Sequence, residues 1–527
     1  MRVRVPRGLL LLGAIVSGFM LLPILYLALR ASEATPESWE LILRDRTVWL
    51  AVRSVGLATA VTSAAVALAV PLAWLTVRSD VPMRRLWSVA LALPLVIPSY
   101  VGAFAFLAAF GPKGLVQQIL EPFGVDRMPD PTGFWGAFIV LTLFTYPYVF
   151  LLVAASLKGL DPALEETARG LGRSRGEIFR RVTLPLLRPS IAAGGLLVAL
   201  YTLHDFGAVS LMRYPVFTQA IYLQYKGAFD RTPAAILSLM LVGIALVVVA
   251  AEQRARGRAR YYRVGSGSRR PLGPVPLGRW KWVAFTACAV MTLLALIGPL
   301  SVLVYWFARS IAASDVRLTW GAAGGSVVAS GLGAALTLLF ALPIAVLGAR
   351  YRTHFARMTE RLAYTGYALP GLVVALSLVF LATRSFPVVY QSLALMVFAY
   401  AVLFLPQAAE PLRNSFMQIG PRVEEAGRAL GRSRPRVFVS LVLPLISRGA
   451  LAGGALVFLT AMKELPATLL LRPTGFETLA TRIWSAAAVG LYSRAAGPAL
   501  LLILVCCVPL YVLARRLEVK DLELSNR

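Results

Sequence analysis

Residues 164–195 read LEETARGLGRSRGEIFRRVTLPLLRPSIAAGG, and residues 423–454 read VEEAGRALGRSRPRVFVSLVLPLISRGALAGG. The two stretches align without a gap at an offset of 259 residues. The register pairs Glu166 with Glu425, Gly172 with Gly431, Arg173 with Arg432, Ser174 with Ser433, Arg175 with Arg434, Leu184 with Leu443 and Pro185 with Pro444. Both are polar, basic islands between long apolar runs. A polar device spelled twice inside a hydrophobic chain implies two copies facing the same side of a membrane.

The surrounding composition fits that setting. Of 527 residues, 58% are hydrophobic and 15% charged, too apolar for an ordinary soluble core. A bilayer-spanning helix needs about 20 mostly apolar residues. Twelve stretches qualify: 8–29, 54–77, 87–110, 134–157, 191–211, 234–251, 282–308, 323–348, 362–383, 391–411, 448–471 and 497–515. Gly and Pro inside them are tolerated because neighbouring helices satisfy the freed backbone groups. Transmembrane strands would alternate in hydrophobicity, which these unbroken runs do not. The expected fold class is an all-α polytopic membrane protein.

The net charge of +28 has a topological pattern. Basic residues gather at Arg2–Arg7, at Arg84–Arg85, in both repeated loops and from Arg254 to Lys281, whereas 30–48 and 111–133 mix acids with bases. The positive-inside rule then places both termini, both repeated loops and the central linker in the cytoplasm, with the parity that twelve spans require. This distribution argues against nucleic acid as a partner. The lipid bilayer is the expected one, its anionic headgroups attracting part of the excess charge. The apolar run after Arg2, Arg4 and Arg7 is about 22 residues, longer than the 7–15 of a signal-peptide core, so it reads as a retained first span. Cys288, Cys506 and Cys507 fall in apolar helices with neither metal-ligand nor disulfide spacing, and read as buried packing.

The spans divide into two sets of six. Residues 1–251 form a first unit with its loop at about 160–190, residues 252–281 a polar Gly/Ser/Pro/Arg-rich linker, and residues 282–527 a second unit with its loop at about 419–449. Each loop falls between the fourth and fifth spans of its unit. LALPLVIPS at 91–99 and YALPGLVVA at 367–375 read as counterparts, and the first half carries an insertion around 111–134. Loops on one side and an even span count make the repeat parallel. The expected pseudo-twofold axis runs along the membrane normal, unlike that of inverted-repeat transporters.

The loop has a local logic. Pro162 and Pro421 stand at helix starts, where a missing N–H costs nothing. The acid pairs Glu165–Glu166 and Glu424–Glu425 follow in the first turn, complementing the positive end of the helix dipole. Gly172 and Gly431 break the helix or end it, and an amphipathic stretch leads to Pro185 or Pro444. Such a segment could merely anchor to headgroups. Its duplication with acids and glycines in register favours a docking surface that meets two identical partner sites.

These residues resemble the EAA loop of ABC importer permeases. Glu166-Thr167-Ala168, Gly172 and Val182-Thr183-Leu184-Pro185 follow the motif with Thr167 for its first Ala; Glu425-Ala426-Gly427, Gly431 and Leu441-Val442-Leu443-Pro444 follow it with Gly427 for its second. The resemblance implies two fused type I six-helix permease units. It also implies a cytoplasmic ABC ATPase homodimer that receives the two short coupling helices, and a periplasmic or lipid-anchored solute-binding protein. The setting it implies is a bacterial plasma (inner) membrane. The coupling residues on that basis are Glu165, Glu166, Ala168, Gly172, Arg173, Pro185, Glu424, Glu425, Ala426, Gly431, Arg432 and Pro444. TLHDFGAVSLMRYPVFTQAIYLQY from Thr202 and MKELPATLLLRPTGFETLATRIW from Met462 are most similar to fused permeases of ferric-iron importers, although those for thiamine and phosphonate share the layout.

No Gly-Lys-Ser/Thr occurs among the six lysines, so no Walker A phosphate loop is present and ATP is expected on a partner subunit. No constellation for covalent catalysis appears, no cofactor is expected in this chain, and no stably bound metal is expected. An uncoupled channel or scaffold would have no use for the repeated loop. A membrane enzyme would need a clustered ligand set that the sequence lacks. One further duplicated feature is intramembrane: His204-Asp205 and Lys463-Glu464, again 259 apart. Ionisable groups at such depth are costly and face a cavity or one another. They are expected along the translocation pathway or as ion pairs of an outer gate; the carboxylates could also suit a hard cation.

Overall fold

The computed structural model describes residues 5–112, 114–125, 128–227, 231–256, 274–312, 320–351 and 353–525. Among them there is no strand, only one isolated parallel bridge between Ser79 and Val275. Eleven helices are long and apolar enough to cross a membrane, and Gly371–Ser385 is a shorter apolar one. The all-α expectation holds, but four of the twelve expected spans are not continuous rods.

The third and ninth segments are broken in the same way. Arg84–Ala90, a 3-10 turn at Leu93–Val96 and Ser99–Phe110 replace the expected 87–110. His354–Tyr364, a turn at Thr365–Ala368 and Gly371–Ser385 replace 362–383. The cause is proline. Ile97 and Leu369 are both extended at ψ 118, the conformation imposed on a residue preceding Pro, and Pro98 and Pro370 bring no N–H to continue the ladder. Pro98 is therefore the counterpart of Pro370, at an offset of 272 rather than 259. The change of offset measures the first half's insertion, which folds in part as Leu115–Leu120 and Glu121–Phe123.

The fifth and eleventh segments also break. Helices Leu184–His204 and Leu443–Met462 stop where 191–211 and 448–471 were expected to run on. Short helices Gly207–Leu211 and Pro466–Leu471 follow after a turn. Each long helix packs closely on the fourth or tenth span, Phe134–Lys158 or Leu393–Gln418. A Cβ on Gly194 would stand 2.7 Å from Val149 Cα, and one on Gly453 would stand 3.0 Å from Ala408 Cα. Small residues are what let two membrane helices approach backbone to backbone.

The compact units do not follow the sequence halves. One comprises Leu43–Ala220 with Gly243–Ala312; the other comprises Ala313–Arg527 with Met1–Ile42 and Ile221–Val242. The boundaries expected at 251 and 282 mark the duplicated sequence, whereas the first span of each half packs with the other half's bundle. Inside the second-half unit, Ser377 Oγ donates to Pro23 O at 2.9 Å and Tyr26 OH to Phe380 O at 3.2 Å. Phe19 packs edge-on against Phe398 at 5.3 Å. Inside the first-half unit, the seventh span, Trp280–Ala312, places Trp306 Nε1 on Ala108 O at 3.2 Å and Phe285 against Trp87 at 5.2 Å. Hydropathy reports that a span exists, not the bundle it joins.

Candidate functional site

Both repeated loops fold as a short helix, a glycine turn and a second helix. In the first-half unit the helix is Pro162–Gly170, capped by Asp161, whose Oδ1 accepts from Ala163 N–H at 3.0 Å. In the second-half unit it is Pro421–Ala429, with Gly420 at the N-cap. Gly172 and Gly431 take φ +75 and +77, the left-handed conformation that glycine adopts without strain. Gly172 N–H donates to Arg169 O at 2.9 Å and Arg173 N–H to Ala168 O at 3.2 Å; Gly431 and Arg432 repeat this onto Arg428 and Gly427 at 2.9 and 3.3 Å. The paired bonds form a Schellman motif that satisfies the helix's last carbonyls.

The second helix has the same irregularity in both copies. After Arg175–Ile178 or Arg434–Val437, a π turn spans Phe179–Thr183 or Phe438–Val442 and leads into the next span. Leu184 and Leu443 N–H reach back five residues to Phe179 and Phe438 O. The wide turn comes immediately before Pro185 and Pro444, whose rings and missing N–H an ordinary turn would not accommodate.

The two acids of each knob part company. Glu166 and Glu425 are exposed. Glu165 is buried and paired with the Arg78 guanidinium; Thr183 Oγ1 donates to it at 3.0 Å, and Arg169 stands 3.8 Å away. In the other unit Glu424 pairs with Arg350 Nη2 at 2.7 Å, and Arg350 Nη1 also donates to Ile419 O at 2.8 Å. Arg78 and Arg350 are the last residues of the second and eighth spans, Asp45–Arg78 and Trp320–Arg350. They are equivalent at the 272 offset. Each knob is thus tied by a salt bridge to one span and continues through its π-turn helix into another.

The remaining loop residues are also placed. Arg173 Nη1 donates to Glu177 Oε1 at 3.2 Å, and Arg432 Nη1 to Ser440 Oγ at 3.0 Å. Ala168 is buried and Ala426 exposed; the buried equivalent of Ala168 is Gly427. A Cβ on Gly427 would stand 2.8 Å from Leu441 Cδ1 and 3.0 Å from Val437 Cγ2, which explains the departure from alanine there. Two residues the motif reading passed over are the most exposed apolar ones on the knobs: Leu171 at 77% and Leu430 at 80% exposure, with Leu164 and Val423, seven residues earlier, also exposed. Their signal was present as an apolar residue before the turn glycine in both copies.

The intramembrane acids end the fifth and eleventh helices. Asp205 Oδ1 accepts from Ala208 and Val209 N–H at 2.9 and 3.1 Å, and its Oδ2 accepts from Ser99 Oγ at 2.5 Å. Glu464 Oε1 accepts from Ala467 N–H at 3.2 Å. A hydroxyl holds each acid's own carbonyl, Thr218 on Asp205 and Thr468 on Glu464, both at 2.6 Å. His204 and Lys463 are half-buried beside them. These bonds account for both carboxylates as caps over broken helices. Among the described residues no group of three or more His, Cys, Asp or Glu is placed to hold a metal ion.

Residues 65–260 and 339–520 each match the family described as binding-protein-dependent transport system inner membrane component. The chain is 35% identical over 517 residues to the Fe(3+)-transport system permease protein FbpB 2 of Haemophilus influenzae, covering 97% of this chain and 99% of that one. It is 25% identical over 399 residues to a putative ferric transport system permease protein FbpB 1 of the same organism, covering 72% and 63%. It is 32% identical over 261 residues to the molybdenum transport system permease protein ModB of Mycobacterium bovis, covering 48% of this chain and 91% of that protein. Two family matches in one polypeptide, each carrying the same knob between its fourth and fifth spans, are consistent with two fused permease units. The chain belongs to the inner-membrane components of binding-protein-dependent transport systems, the permeases of ABC importers.

Proposed function

We propose that this chain is the permease of a ferric-iron importer, driven by a separate cytoplasmic ATPase dimer and fed by a solute-binding protein on the opposite face. The observation that carries the coupling half of this reading is the pair of register-equivalent knobs, each presenting an exposed leucine and an exposed glutamate. An apolar anchor with a charged rim is the composition of an energetically central contact. The cargo half is supported by near full-length similarity to a permease named for Fe(3+) transport.

Both loops and both termini are then cytoplasmic, a placement the distribution of basic residues supports. ATP-driven closure of the dimer moves the two knobs. Each knob passes the displacement along two routes, through Arg78 or Arg350 into the second or eighth span and through the π-turn helix into the fifth or eleventh. The bundle responds by alternating between inward-open and outward-open arrangements. Iron is cargo here and is not a resident metal.

The test is uptake of radiolabelled ferric iron by cells carrying the chain with its ATPase and binding protein, competed with molybdate, thiamine and phosphonate. Iron uptake insensitive to the three competitors supports the cargo; competition by one of them replaces it. Leu171→Asp with Leu430→Asp should abolish co-purification of the ATPase, since each aspartate would carry an unpaired charge into the contact. Undiminished co-purification would overturn the docking assignment.

A further inference from the structure

The repeat is not spelled identically where the third and fifth segments meet, and the differences compensate. At the 272 offset Ser99 corresponds to Gly371; at the 259 offset Asp205 corresponds to Glu464. Ser99 and Gly371 both open the helix that follows the proline break. Asp205 and Glu464 both cap the short helix that follows the other break. In the first-half unit the shorter acid is met by a serine hydroxyl. In the second-half unit the longer acid fills that space itself, and a Cβ on Gly371 would overlap the Glu464 carboxylate. One methylene gained on the acid is matched by one hydroxymethyl lost from its partner.

We propose that Ser99–Asp205 and Gly371–Glu464 are two versions of one joint. It fastens the break in the third or ninth segment to the break in the fifth or eleventh, so that the two move as one body during transport. Ser99, Gly371, Asp205 and Glu464 are positioning residues: they act through the helices they hold together, not by touching cargo. The geometry is closed in both units. Asp205 takes two backbone N–H bonds from the short helix and Glu464 one, and a threonine hydroxyl bonds each acid's carbonyl. In the second-half unit that threonine is itself bonded to Tyr400 OH at 2.6 Å. A hydrogen-bonded network of this kind favours one arrangement. A mismatched acid and partner leaves either an overlap or an unfilled gap.

This inference rests on the permease reading, and the experiment separates the two. Four single variants break the match: Ser99→Gly, Asp205→Glu, Gly371→Ser and Glu464→Asp. Two reciprocal doubles, S99G/D205E and G371S/E464D, restore it by exchanging the two versions. Radiolabelled ferric-iron uptake is compared at equal membrane abundance, alongside binding-protein-stimulated ATP hydrolysis and the melting temperature of the purified protein. Expected losses in the singles are roughly ten- to a hundredfold, the range of a lost hydrogen bond to a charged group or of an overpacked core. The doubles return to within about threefold of wild type and recover the melting temperature. Doubles no better than their worse single, or singles indistinguishable from wild type, overturn the joint. If the wild type imports no iron, the cargo assignment falls instead, and the same six variants decide the joint through stimulated ATP hydrolysis and melting.

Discussion

The two knobs should respond unequally to the same substitution. Glu165→Gln removes the charge facing Arg78, and both side chains are nearly dry, at 7% and 5% exposure. Removing one partner of a buried ion pair costs about 3–5 kcal/mol, because the guanidinium left behind stays desolvated and uncompensated. Glu424→Gln removes the equivalent charge, but that side chain is 37% exposed and Arg350 retains its bond to Ile419 O. A solvent-screened pair of this kind is worth at most about 1 kcal/mol. The gap is at least about 2 kcal/mol, or about thirtyfold in a local opening equilibrium. Hydrogen exchange of the knob amides reads that equilibrium directly. Amides of the first knob in E165Q should accelerate at least about thirtyfold more than those of the second knob in E424Q. A matched apolar pair, Arg78→Met with Glu165→Leu, should exchange slowly again, since replacing both charges removes the desolvation cost. Equal acceleration of the two knobs would show that burial does not set the strength of the tie.

Two further outcomes follow from the turn and packing glycines. Gly172→Ala and Gly431→Ala place a Cβ at positive φ and should each destabilise the knob by about 1–2 kcal/mol; the double variant should lose ATPase co-purification together with uptake, and a double that keeps both would show the turn to be dispensable. Gly194→Val and Gly453→Val drive a side chain into the backbone of the fourth or tenth span, costing about 1–3 kcal/mol each, which a lower melting temperature and reduced yield of folded protein in detergent would register.

What the sequence reveals and what it hides divide along contact range. The knob helix, its glycine turn and its entry proline were legible because each is a local decision, fixed within about four residues and written twice. Arg78 and Arg350 were not. They lie 87 and 74 residues from their glutamates, and the first half's insertion shifts them to a second offset that a single-register comparison misses. The breaks after His204 and Met462 were hidden for another reason. Apolar runs resume on both sides of His204-Asp205 and of Lys463-Glu464, so a hydropathy window averages across the turn. Ser99 and Gly371 evade a search for identity because the repeat conserves their combined volume with the acid, not their letters. Proline carried a readable signal at 98 and 370 that a plain hydropathy window discards.

The first span's attachment to the far end of the chain sets a timetable for biogenesis. The bond from Tyr26 to Phe380 closes over 354 residues. At ribosomal rates of about 5–20 residues per second, that is roughly 20–70 s before the acceptor exists. Until then the N-terminal helix resides in lipid with only part of its eventual surroundings, such as Ile236 and Phe340, and its own apolarity must keep it inserted. The Leu43–Ala220 bundle meanwhile lacks only the segment Gly243–Ala312, which emerges much sooner. The chain is therefore completed out of written order, its opening helix among the last to find a home.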